Sequence, residues 1–162
     1  MPDRFGVPDN MFGPMPEDFY SAVGRVVLIA ALLEVKLVDL LNTLDRVPQT
    51  THAGKHGAEL VKSALKSLES TNPALRDQGK TVLVEALDAL DRRNDVVHNV
   101  WTAPTSDAAY GWRAVHRRLR SEPHQPHVGT TMSLTDLSDF IGQLIRLVAQ
   151  IDDLRQQVEA TL

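Results

Sequence analysis

The sequence predicts an all-α fold: a bundle of four to five helices, broken by a short polar and basic insertion before the last one. Three observations predict it. Apolar residues recur at alternating spacings of four and three along three long segments, the period of a helix face packed in a bundle. Aromatic residues are only 5% of the chain and the aliphatics are mostly Leu, Val and Ala, which favours helices packed on helices. Prolines fall mainly in residues 1–17 and 102–131, leaving the stretches between them unbroken.

Residues 1–17 read as an N-terminal arm. Pro2, Pro8, Pro14 and Pro16 break any long helix, and the apolar Phe5, Met11, Phe12 and Met15 suit it to lie against the body or a partner chain. Residues 18–162 then form a single domain. Its first helix runs from about Pro16 to Asp45, with Val26, Ala30, Leu33, Leu37, Leu40 and Leu44 on one face and Val27, Val38 and Leu41 widening it. Arg46–Gly54 is a loop. A second helix covers Ala58–Glu69, with Leu60, Ala64, Leu65 and Leu68 on its apolar side.

Asn72 and Pro73 open the third helix as N-cap and first helical residue. It continues to about Val100, with a break expected near Gly79. Leu83, Leu87, Leu90, Asn94, Val97 and Trp101 mark its seam, where one polar residue, Asn94, needs a partner or a purpose. In the insertion, 102–131, Trp112, Ala114, Val115, Val128, Thr130 and Thr131 have the pattern of a short β-hairpin. Ser133 with Asp136 resembles a capping box, and Leu137, Ile141, Leu144, Val148, Ile151 and Val158 carry the last helix to the end.

With 162 residues the chain suits one domain with a real core. It has no cysteine, which excludes disulfides, thiolate metal sites and thiol nucleophiles and points to a cytoplasmic setting. The net charge is -4, the wrong sign for a protein that coats nucleic acid, so any RNA contact must be local. The N-terminus has no signal-peptide h-region. The longest apolar run, Val26–Leu33, is too short to span a bilayer, so no membrane association is expected.

The densest polar cluster is Asp91–Trp101, DRRNDVVHNVW. At ~100° per residue, Asn94 and His98 fall on or beside the apolar seam and Arg93 at its opposite edge. Asp95, one turn before His98, is placed to hold an imidazole nitrogen. These types suit attack on a phosphodiester. His98 titrates near neutrality and can carry a proton. Arg93 offers a planar charged fork for a phosphate. Asn94 can orient phosphate or ribose. With RNA, the neighbouring 2′-hydroxyl is the nucleophile and the chemistry calls for no metal or cofactor.

Arg93-Asn94-Asp95-Val96-Val97-His98 resembles the signature of the HEPN domains: an Arg, a polar residue next to it, and a His a short helical interval later. Trp101, the helical context Leu83–Leu90 and the order of elements over about residues 18–160 are also similar. The resemblance implies an α-helical bundle that dimerises to place two motifs in one cleft. It further implies, for many members, a metal-independent endoribonuclease of toxin–antitoxin, defence or stress systems, with an antitoxin protein as a candidate partner. Carried over, Arg93 and His98 are the catalytic pair and Asn94 the polar residue after the Arg. Asn99 stands where many relatives have a small residue, and Arg92 also precedes His98 by a permitted interval. Some members have lost activity and only bind, so the alternative is a non-catalytic helical adaptor.

Three further candidates complete the reading. Glu34, inside an apolar stripe, either pairs with Arg93 and fixes its fork or reaches water or Lys36. Arg113, Arg117, Arg118 and Arg120, with His116, His124 and His127, are opposed only by Glu122. They read either as an RNA-backbone contact with Trp112 or Tyr110 offering a stacking face, or as a solvated hairpin. His52 and His56 read as surface residues of a Gly-containing loop. A homodimer is expected because the stripes with Leu33, Leu37, Leu90 and Val97 carry more apolar surface than one small bundle covers.

Overall fold

The computed structural model describes residues 5–103, 107–114 and 127–161. Four long helices, α2 (Glu17–Asp45), α3 (Gly57–Leu68), α4 (Pro73–His98) and α5 (Leu134–Glu159), follow a short α1 (Asp9–Phe12). Between α4 and α5 lie β1 (Val100–Thr102), β2 (Ala108–Ala114) and β3 (His127–Ser133). The helical bundle is as expected. The hairpin expected in the insertion is present as β2 and β3, and β1 adds a third antiparallel strand in the order β1-β2-β3, so the chain is mostly helical rather than purely so. The residues after the motif, Val100–Thr102, extend and pair with Tyr110–Trp112, which the short VWT run gave no periodicity to reveal.

Local signals set the helix ends. The Asn72 side chain accepts from Leu75 N–H at 3.0 Å, and Pro73 follows at the first helical position. Ser133 and Asp136 form the reciprocal capping box of α5. α2 stops where Arg46 turns left-handed, φ 54°. Buried Asn42 then secures the loop by donating to Gln49 O at 2.9 Å. The break expected at Gly79 is absent, and α4 is one helix ending at His98. Gly79 serves packing instead: a Cβ there would meet Leu68 Cδ1 at 2.7 Å and Leu154 Cδ2 at 3.1 Å.

Cross-helix contacts give the directions. Asp45 meets Ser67 and Glu34 meets Gly57, so α2 and α3 run the same way. Gly79 faces Leu154, Glu85 faces Gln143 and Arg92 faces Asp136, so α5 runs against α4 and parallel to α2. The core lies between α2 and α5, with Leu33, Leu37, Leu40, Phe140, Leu144 and Leu147 fully buried. Burial of each such side chain contributes about 1.5–3 kcal/mol. Leu33, Leu37 and Leu90 are buried within one protomer, so they do not supply the surplus apolar surface expected of them.

The inner face of the sheet closes one end of the bundle. Trp101 donates from Nε1 to Val96 O at 2.8 Å and meets Phe19 edge-on, centroids 5.4 Å apart. Gly111 leaves room for that indole, whose ring atoms would lie 2.7 Å from a Cβ. The arm is tied to the same end, Ala103 N–H donating to Phe12 O at 2.7 Å. No helix among the described residues is long and apolar enough to cross a membrane.

Candidate functional site

The motif occupies the last two turns of α4, where the helix leaves the core. Leu83, Ala86 and Leu90 are buried, then the inward line passes to Val96 and Trp101. Asn94 is half-buried and Val97 is 38% exposed. The four-three seam read from the sequence therefore rotates out of the core after Leu90, and Asn94 is not a core amide.

Arg93 turns toward α2. Its Nη2 donates to Glu34 Oε1 at 2.7 Å, with both side chains a quarter exposed or less. The pairing expected between these residues is present, and Lys36 instead binds Asp152 at 2.8 Å. Glu34 Oε1 also accepts from Gly57 N–H at 3.2 Å, in the first turn of α3. One carboxylate oxygen thus joins the middle of α2, the start of α3 and the end of α4. Arg93 Nε is buried without a hydrogen-bond partner among the described residues, and so is Asn99 Oδ1.

His98, the last residue of α4, is exposed. Asp95 does not hold its ring, contrary to expectation. The Asp95 carboxylate takes Arg113 Nη2 from β2 at 2.6 Å, because antiparallel pairing of β2 with β1 carries Arg113 back over the end of α4. No hydrogen bond or ion pair to a described residue fixes the His98 imidazole or the Asn94 amide. Five positions separate Arg93 from His98, about 140° around a helix at ~100° per residue. Within one protomer the fork and the imidazole therefore face different directions.

Of the residues expected to bind substrate, Arg92 is occupied elsewhere. Its guanidinium lies 4.5 Å over the Phe140 ring and donates to Asp136 O at 3.3 Å, fastening α4 to α5. Asp136 itself is held below its ordinary value, first by the Ser133 hydroxyl and then by the Ser133 N–H, with a smaller contribution from Arg92. Arg113 is ion-paired as above. Arg117 and Arg118, with His116, Arg120 and His124, lie outside the described residues. His52 is not a free surface residue: its Nε2 meets Asp45 Oδ2 at 2.8 Å, while Asp45 Oδ1 accepts from Ser67 at 2.6 Å. That loop clamp was missed because its three partners come from separate segments. Among the described residues no group of three or more His, Asp or Glu is gathered as a metal site.

No family model, curated protein or solved structure matches the chain. The site accordingly rests on its own geometry. On the last two turns of α4 it has a guanidinium set in place by a carboxylate from a second helix, and, turned away from it, an exposed imidazole at the helix end, with the Asn94 amide between them in sequence.

Beside this site α2 presents apolar surface outward. Leu28 is 72% exposed, and Leu32 and Val35 follow at 46% and 54%. With Ala31 these positions make one stripe of α2 by helical spacing, bordering Glu34.

Proposed function

We propose that this chain is a metal-independent endoribonuclease of the HEPN type, acting as a homodimer through attack of the RNA 2′-hydroxyl on the adjacent phosphodiester. The observation that carries this reading is the Glu34–Arg93 pair at the end of the helix that terminates in the exposed His98. A buried-edge carboxylate that orients a guanidinium at the surface end of a helix suits an oxyanion clamp better than a random surface charge.

In this reading His98 takes the 2′-hydroxyl proton or returns one to the leaving 5′-oxygen. Arg93 steadies the charge that grows on the phosphate oxygens, and Asn94 orients phosphate or ribose. Because Arg93 and His98 diverge around α4, one protomer offers an incomplete site. Pairing of two protomers through Leu28, Leu32 and Val35 would bring the two motif regions together across the interface. The cellular role proposed is a stress, defence or toxin–antitoxin effector, with a cognate antitoxin as a partner.

The test is incubation of a mixed RNA pool with the wild-type chain and with His98→Ala, in EDTA. Cleavage by the wild type alone, leaving a 2′,3′-cyclic phosphate or its hydrolysis product, supports the proposal. Equal cutting of a substrate with 2′-deoxyribose at the scissile position, or a requirement for added magnesium, overturns it. The second reading, a non-catalytic binding module, is favoured by one observation: no described residue holds the His98 ring. It predicts RNA or protein binding with no product in the same assay.

A further inference from the structure

The sheet carries the same packing device on both faces, and only one copy has a core to serve. On the inner face Trp101 fills the space above Gly111 and packs on Phe19. On the outer face the phenol of Tyr110 fills the space above Gly129, where any Cβ would overlap its ring. Tyr110 is nevertheless 49% exposed, so its ring lies along the sheet with one side against the Gly129 backbone and the other toward solvent.

Register defines the rest of that face. Val100 is opposite Trp112, Thr102 opposite Tyr110, and Tyr110 opposite Thr131. Opposed residues of an antiparallel pair emerge on the same side, so Val100, Thr102, Tyr110, Trp112 and Thr131 share the outer face. Val100 is two residues beyond His98, a chain distance of at most about 7 Å. The face is therefore continuous with the motif. The sequence following β2 holds Arg117, Arg118 and Arg120 against a single Glu122, a local positive excess in a chain of net charge -4 that suits an anionic occupant.

We infer that the outer face of this sheet is a stacking platform for an unpaired nucleobase of single-stranded RNA, with Tyr110 as its principal ring. The inference rests on the ribonuclease reading for its substrate. An aromatic face supplies sequence-tolerant affinity, and a platform fixed to the end of α4 would hold the strand that runs past His98. It selects unpaired over duplex RNA, because a base within a helix has no free face to offer.

The experiment measures binding apart from cleavage. Full-length His98→Ala protein is titrated against a fluorescently labelled single-stranded RNA dodecamer and against its duplex. Tyr110→Leu and Tyr110→Phe are made in the same background. Both cover Gly129, but only Phe keeps a π-face, and thermal melting checks that each folds. The expected result is tighter binding of the single strand, with about tenfold or greater weakening in Tyr110→Leu and near-parental binding in Tyr110→Phe. Equal binding by the Leu and Phe variants, or no preference for the single strand, overturns the platform. If the wild type cleaves RNA while Tyr110→Leu binds unchanged, the platform falls and the ribonuclease reading stands. If binding depends on the ring but no RNA is ever cut, the platform stands and the ribonuclease reading falls.

Discussion

Glu34 of α2 and Arg93 of α4 are 59 positions apart in sequence and 2.7 Å apart in space. The same carboxylate oxygen accepts the Gly57 N–H. A half-buried ion pair of this kind orients as much as it stabilises, since its two charges are only partly desolvated. Glu34→Gln keeps an acceptor for Gly57 but removes the charge opposite Arg93. RNA cleavage should fall while helical circular dichroism is retained. Because the amide oxygen can still accept from Arg93, only the charge assistance of that bond is lost, which should cost about 1 kcal/mol in denaturant unfolding. Unchanged cleavage would remove Glu34 from the site.

His98 is exposed, and no hydrogen bond or ion pair ties its ring to a described residue. His98→Ala should therefore leave the melting temperature nearly unchanged and lower the cleavage rate by ~100-fold or more, the scale of a lost proton-transfer group. Arg93→Lys should also damage activity, because an ammonium point charge does not reproduce a planar fork. Single-turnover kinetics at saturating RNA separates both effects from weakened binding.

The dimer expected from Leu33 and Leu37 now turns on a different face. Those residues are buried inside the protomer, whereas Leu28, Leu32 and Val35 are open. A Leu28→Glu, Leu32→Glu double variant should be monomeric by light scattering, with an intact bundle and greatly reduced cleavage. A wild-type monomer at working concentration would contradict the composite site.

Stability in acid has a definite sign. The carboxyls of Asp136 and Asp152 are both held below the ordinary value of 3.8, the first by the Ser133 hydroxyl and the second by Lys36. Groups with depressed native values stabilise the fold above their unfolded value and lose that contribution as pH falls through the native one. Melting temperature should be flat above about pH 5 and fall below 3.8. Asp152→Asn, which removes the partner of Lys36, should lower the plateau and make the acid limb shallower. An acid limb identical to wild type would show that Asp152 does not contribute.

The features legible along the chain are local. The extents of α2, α3 and α5, the Asn72 cap and the Ser133–Asp136 box follow from periodicity and from hydrogen bonds between residues three or four apart. Those signals are complete within one stretch of chain, and the structure reproduces them. The motif was legible as a cluster, and Glu34 as a carboxylate that needed a partner. Packing of the helices chose which of two partners Glu34 takes, and it set Arg92 over Phe140. It also gave Asp95 to Arg113 and turned Asn94 and Val97 off the core. Each outcome depends on the rotation of α4 against α2 and α5, or on the strand register that returns β2 to the end of α4. Neither quantity is written in the spacing of residues along one element, because both are set by the packing of elements far apart in sequence.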